Sequence, residues 1–370
     1  MGERRILQFC HCHYGPFADV ARQYAELFRN SPYKVTTVFL TDPPSDEVAA
    51  QAASDEVVFL GYDGKDVRGL KLDAMRRIRA IVAGRDFSLV IAHRFKPIYI
   101  SCVATALPVI GVHHAFGDYR RASRRIFANF FRNQLSLLGV SDAVRDDLRA
   151  SLPAWPADRI ETLYNRVDVE AVQRDLLPRA AAREALGLPQ DAFVIGNAGR
   201  LHPDKDQATL IRGFAKALPG LPDGSVLAIM GRGPLEADLK DLARQLNIAS
   251  RVRFLGQIPD GRRYFKAFDL FALTSDREPF GMVLLEAFAA DVPVVCSDCG
   301  GGREVVDGVG RLFAFGDVGG LASELQRCVV EAEASRASER LERCFSDRAA
   351  RQRFWQLPMC KPLLGENARL

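Results

Sequence analysis

No apolar run in this chain approaches the roughly 18 residues that a helix needs to cross a bilayer, so a membrane-spanning protein is not expected. The opening MGERRILQFC runs directly into a strand pattern and lacks the long apolar stretch and cleavage site of an export leader. The eight cysteines, Cys10, Cys12, Cys102, Cys296, Cys299, Cys328, Cys344 and Cys360, are scattered rather than arranged as a disulfide framework, and reduced thiols are expected. Cys10, His11, Cys12 and His13 look like a ligand cluster on paper, but they end a strand pattern, where alternation sends neighbours to opposite faces. Cys296 and Cys299 form a C-x2-C with no second pair at zinc spacing, so no metal is expected. Strong charge of one sign is missing too. The net charge is only +4, and any preference for an anionic partner must come from local clusters. A cytoplasmic protein is expected, with room for peripheral attachment to a membrane.

The chain does have ample material for two domains at 370 residues, with 48% apolar and 26% charged residues, ordinary for a soluble enzyme. Strand-like runs alternate with helical patterns, which argues for α/β layers built on doubly wound parallel sheets. In the first half, strands are expected over 6–10, 35–40, 56–60, 89–92, 109–112 and 137–140, with helices over 17–29 and 70–83 among the connections. In the second half, strands are expected over 194–198, 226–230, 253–255, 270–273 and 293–296, with helices over 207–218, 235–246 and 281–290. The segment 164–189, rich in Arg and Ala, is expected to hold the linker. A long helical stretch over 321–343 follows, and FSDRAARQRFWQL reads as a closing helix.

The densest chemistry lies in 278–295, EPFGMVLLEAFAADVPVV. Pro279 suits a helix start, and the backbone N–H groups of Phe280, Gly281 and Met282 then fall where unpaired donors and the helix dipole favour an anion. Gly281 has no side chain to obstruct a ligand. Glu278 precedes the helix and Glu286 lies inside it, eight residues on. Eight residues of helix rise about 12 Å, a span suited to the two ends of a nucleotide-sugar. A second cluster follows the strand at 194–198: in GRLHPDKDQATLIRGF, Gly199 frees a turn and Arg200 and Lys205 place two cations before a helix, as a diphosphate requires. Asp204 and Asp206 flank Lys205 in a D-x-D, but the interposed cation opposes a metal, and both acids read as helix-start residues. Gly231, in a G-x-G-P-L turn after a strand, permits close backbone approach.

The string around Glu278 and Glu286 resembles the signature of the retaining glycosyltransferases of family 4. That resemblance implies the GT-B architecture, two Rossmann-like α/β domains facing across a cleft. It implies an acceptor-binding first domain over 1–170, with the closing helix 346–370 packed back on it, and a donor-binding domain over 171–345. It further implies that Glu278 sits beside the donor sugar, Glu286 binds the ribose, and Arg200 and Lys205 clamp the diphosphate. The loop carrying Phe254, Gln257 and Ile258 is implied to meet the base, Gly15 to lie near donor phosphate, and His114, favoured over His113, to meet the sugar. Gly300–Glu304 matches a Gly-rich turn near the donor. Three positions depart from the family pattern: Gly15 is followed by Pro16 rather than Gly, Arg166 follows Asn165 in place of Gly, and Asp291 stands where Gly is usual.

Residues 119–132, YRRASRRIFANFFR, interleave five arginines with apolar residues. On a helix, Arg120, Arg121, Arg124 and Arg125 would form a basic face beside an apolar stripe, suited to a membrane surface or an anionic acceptor. Nucleic acid is not expected, because no recognition module accompanies the arginines. The reading that results is a metal-independent, cofactor-free hexosyltransferase. Its donor is expected to be a UDP-sugar, and its acceptor a saccharide or glycolipid such as a lipopolysaccharide core at the inner membrane. A GT-B sugar-nucleotide epimerase, a pyridoxal-phosphate phosphorylase and an inactive nucleotide-sugar-binding protein remain as alternatives.

Overall fold

The computed structural model describes residues 3–330 and 336–364. The chain divides after Asn165 and again after Ser346, so that its first part and its last helix form one compact unit and the middle forms another. In the first unit the strands are β1 (Arg5–Cys10), β2 (Lys34–Thr41), β3 (Glu56–Tyr62), β4 (Phe87–His93), β5 (Val109–His113), β6 (Leu135–Gly139) and β7 (Ile160–Thr162). They form a seven-stranded parallel sheet in the order β3-β2-β1-β4-β5-β6-β7. In the second unit β8 (Val194–Ala198), β9 (Val226–Met230), β10 (Val252–Gly256), β11 (Leu270–Leu273), β12 (Val294–Ser297) and β13 (Arg311–Phe313) form a parallel sheet in the order β10-β9-β8-β11-β12-β13.

Both orders start centrally, wind to one edge, cross back and wind to the other. Each sheet therefore has a switch point, between β1 and β4 in one and between β8 and β11 in the other. Strands covered by helices on both faces are apolar throughout rather than alternating. Ile6, Leu7, Phe9, Val90, Ile91 and Leu137 are fully or almost fully buried in the first unit. In the second unit Ile195, Leu210, Phe214, Leu227, Ile229, Leu270 and Leu321 form one core cluster.

The closing helix, Asp347–Gln356, is part of the first unit, and the expected remainder to 370 lies outside the described residues beyond 364. Phe354 and Trp355 bury against Phe28, with ring centroids 5.4 and 5.6 Å away. Trp355 Nε1 donates to Leu27 O at 3.1 Å, and Arg22 pairs with Asp347 at 2.8 Å. Among the described residues no helix is long and apolar enough to cross a membrane.

Several expectations are corrected. Strands β7 and β13 escape a sequence reading because three edge residues carry no period. The 321–343 stretch is divided: helices cover Val318–Val330 and Ala337–Phe345, and 331–335 fall outside the described residues. The boundary between the units, after Asn165, falls within the expected linker segment, 164–189, which also carries two helices, Val169–Asp175 and Arg179–Ala185. The second helix is held by Arg183, a fully buried side chain that donates to Ala267 O, Gln190 O and Ala192 O at 2.9, 2.7 and 2.8 Å and pairs with Asp269 at 2.6 Å. The aspartate that replaces a usual glycine, Asp291, sits at φ 57, a left-handed conformation that Asp tolerates better than most residues, and Ser338 donates to its carboxylate at 2.5 Å.

Arg183→Met should remove these bonds, leaving Asp269 with only Arg179 and Val194 N and the carbonyls of Ala267 and Ala192 without this donor. Urea titration is expected to show a loss of about 3 kcal/mol of unfolding free energy, and a loss under about 1 kcal/mol would contradict this account of the segment.

Candidate functional site

In the second unit, three turns at the carboxyl ends of adjacent strands are stitched backbone to backbone. Gly199 N donates to Met230 O at 2.9 Å, Leu201 N to Arg232 O at 3.0 Å and Gly231 N to Gly256 O at 2.7 Å. Gly231 has φ 138, and a Cβ there would lie 1.9 Å from Gly199 O, so no other residue fits this approach. The turn after β8 is also held from β11. Thr274 Oγ1 reaches the carbonyls of Lys205 and Asp206 at 2.9 and 3.0 Å, and Gln207 Nε2 donates to Arg200 O at 3.0 Å. The carboxylate of Asp206 accepts from Thr209 N at 3.3 Å and so caps the helix Gln207–Ala217. Asp204 pairs with His202 and, at 3.4 Å, with Arg200. The two acids of the D-x-D therefore have separate structural tasks.

Lys205 and Glu278, which are 73 positions apart in sequence, are in direct contact. Lys205 Nζ lies 2.6 Å from Glu278 Oε2, and both side chains are largely buried. Ser275 Oγ donates to the same carboxylate oxygen at 3.2 Å, and Gly301 N donates to Glu278 O at 2.8 Å, fixing the loop against Gly300–Glu304, which opens the helix Gly300–Val306 rather than forming the expected turn. Gly281, at φ 95, precedes the helix Met282–Ala289, and a Cβ there would meet Leu284 at 2.7 Å. Glu286 is half-buried on that helix. The ring of Phe280 is buried and lies 5.7 Å from that of Phe345, which leaves its backbone as the part available to a ligand. Arg200 does not join the pair: its side chain is 71% exposed. Phe254 packs partly into the core with Lys240 over its ring at 5.5 Å, followed beyond Gly256 by exposed Gln257 and half-buried Ile258. Thr274 and Ser275 were not singled out from sequence. The available signal was a polar pair directly after a buried strand.

In the first unit, Gly15 precedes the helix Pro16–Ala25, with open space where a Cβ would stand. The two rings after β5 separate. His113 is buried, its Nδ1 2.7 Å from Asp118, which Arg124 also contacts at 2.9 Å. His114 is half-buried with Nε2 3.2 Å from Nδ1 of His93, another residue not anticipated. Burial, reinforced by His113 and Arg94, pushes His114 down to about 3. Burial, reinforced by Arg94 and Lys96, pushes His11 to about 4, and His93 is held well below its ordinary value by burial and then by His114. All three imidazoles are neutral near pH 7. On the basic helix Ala122–Phe130, Arg124 and Arg125 are spent internally, Arg125 donating to Arg120 O at 2.8 Å and Arg124 to Asp118 O at 2.9 Å. Arg120 and Arg121 are exposed, as are Ile126 and Phe130.

Residues 18–171 match the family model described as Glycosyltransferase Family 4, and residues 178–352 match Glycosyl transferases group 1. The lipopolysaccharide core biosynthesis glycosyltransferase LpsE of Rhizobium meliloti is 34% identical over 190 residues, covering 50% of this chain and 54% of that protein. The match thus spans about half of the relative's length. A glycosyltransferase from Rickettsia africae superposes with a TM-score of 0.83 at 16% identity, covering 99% of this chain and 100% of that one. The Anabaena protein HepE, solved in complex with UDP, superposes with a TM-score of 0.77 at 21% identity, covering 95% and 98%. At such identities the likeness establishes the fold, two Rossmann-like sheets of GT-B type.

Two outcomes follow from the site. In a double-mutant cycle, Lys205→Met and Glu278→Gln should each destabilise, and together cost less than their sum by about 2 kcal/mol; strict additivity in urea titrations would mean no coupling. For the histidines, unfolded imidazoles protonate near pH 6.5 while the folded ones stay neutral to about 3 or 4. The unfolded state then binds more protons between these values, so stability should fall as pH drops from 6.5 towards 4. His114→Gln should flatten that slope, and an unchanged slope in the variant would refute the assignment.

Proposed function

The chain belongs to glycosyltransferase family 4, and on that premise we propose that it moves a hexose from a UDP-sugar to an acceptor hydroxyl with retention of configuration. The observation that carries this reading is the Lys205–Glu278 ion pair, placed at the carboxyl edge of β8 and β11, where ligands of doubly wound sheets bind. Lys205 and Arg200 would neutralise the leaving diphosphate, helped by the N–H groups at the start of the Met282–Ala289 helix. Arg200, exposed and held only by Asp204 at 3.4 Å, would turn onto the phosphates. Glu278 would exchange its bond to Lys205 for the sugar hydroxyls, and Glu286 would take the ribose diol. With those cations in place, the chemistry proceeds without a metal. Phe254, Gln257 and Ile258 are assigned to the base, with Gly199 and Gly231 as the backbone floor.

The first unit is assigned to the acceptor, with Gly15 near the phosphates. His114 keeps the role the resemblance gives it, contacting the sugar as a neutral ring. UDP is favoured because HepE binds it. A lipopolysaccharide core or related glycolipid is favoured as acceptor because LpsE acts in core biosynthesis. Exposed Ile126 and Phe130 beside Arg120 and Arg121 support peripheral docking on the cytoplasmic face of the inner membrane.

UDP should raise the melting temperature, since a ligand of the native state stabilises it. Transfer from a UDP-hexose to a glycolipid extract should fall by about 100-fold or more in kcat/KM in Lys205→Ala and in Glu278→Ala. Donor consumption without any acceptor would instead indicate an epimerase. Tight donor binding with no turnover in any acceptor panel would indicate a nucleotide-sugar-binding protein.

A further inference from the structure

We propose that Arg94, Lys96 and Lys71 form an anion site at the carboxyl end of β4 that takes the phosphate of a phosphorylated acceptor. The acceptor part of this rests on assigning the first unit to the acceptor; the site itself does not. Arg94 ends β4 at the β1/β4 switch point, where a doubly wound sheet binds its ligand. Its backbone sits at φ 71, ψ 162, a region occupied almost only by glycine. Holding a side chain there is a standing backbone strain. The surroundings impose it: Arg94 N donates to Val112 O at 3.0 Å, and Arg94 O accepts from Ile98 N at 3.3 Å at the start of the helix Phe95–Ala104. The strained residue is an exposed arginine whose guanidinium carbon lies 4.6 Å from the Phe17 ring centroid. A glycine would relieve the strain but would supply no charge.

Two more cations gather beside it. Lys96 follows two residues later on the first turn of the helix, half-buried. Lys71, itself left-handed at φ 58, lies over the Tyr99 ring at 4.9 Å and donates to Gly69 O at 2.6 Å. The three act on common neighbours: after burial, Lys96 is what lowers Lys71, and Arg94 and Lys96 are what lower His11. Among the described residues none of the three makes an ion pair, although Asp42 lies close enough to act on the same His11. Asp42, the acid that acts on His11, accepts from His13 N at 3.0 Å. Three cations against the nearby carboxylate of Asp42 leave a net positive charge, which an anionic ligand would offset. A forked guanidinium beside compact ammonium groups suits a phosphate.

Calorimetric titration of inorganic phosphate into the full chain and into Lys205→Ala should give millimolar binding in both, weakened at least tenfold by Arg94→Gly and by Lys96→Ala. Arg94→Gly relieves the strained φ, so its melting temperature without ligand should equal or exceed that of the native chain, which separates lost binding from lost folding. Phosphate binding that survives both substitutions, or its absence in the native chain, would overturn the site. UDP binding is followed alongside: if it is absent while Arg94-dependent phosphate binding persists, the donor reading fails and this one stands. Co-sedimentation with phosphatidylglycerol vesicles, against phosphatidylcholine, distinguishes the source. Loss of vesicle binding in Arg94→Gly points to a lipid-borne phosphate, and retention together with lost phosphate binding points to a soluble phosphorylated acceptor.

Discussion

The second unit of this protein is organised by one contact, the ion pair between Lys205 and Glu278. Two largely buried charges are tolerable only when they satisfy each other and their neighbours. Here Ser275 supplies the additional hydrogen bond to the carboxylate, while Thr274 and Gly301 hold the two backbones that carry the pair. The loops after β8 and β11 are thereby locked together at the switch point. A ligand entering here meets charges that are already positioned, which lowers the ordering cost of binding.

The close approach of the neighbouring turns serves the same end. With Gly231 backed onto Gly199 O, the turns after β8 and β9 meet backbone to backbone, with no room for a side chain between them. Arg200 is the exception in a rigid surface. Its exposure and single weak partner leave it free to respond to a ligand rather than to shape the site.

The two units share a winding order but differ in electrostatics at their switch points. The second holds an ion pair, and the first holds cations that make no ion pair beside imidazoles kept neutral by burial. A paired cation can trade its carboxylate for an incoming anion, whereas cations in net excess attract one from solution.

Most central strands were legible because continuous apolar runs bounded by Gly, Pro and Asp leave little freedom: β8, β9 and β11 end where the pattern ends. The edge strands β7 and β13 were not, since three residues carry no period and depend on a neighbour for their existence. Glu278, Lys205 and Gly281 could be singled out because the strings that carry them resemble the family signature; spacing and helix-start chemistry alone would have left them as ordinary surface residues. Nothing local indicated that Lys205 would bond to Glu278, because a contact across 73 positions is decided by strand order. Residue type likewise could not separate Arg120 and Arg121, which face solvent, from Arg124 and Arg125, whose donors are consumed by nearby carbonyls and Asp118. Arg94 is the limiting case. In the string HRFK it reads as an ordinary surface cation, and only the packing of β4 against β5 forces the glycine-like backbone that gives it meaning.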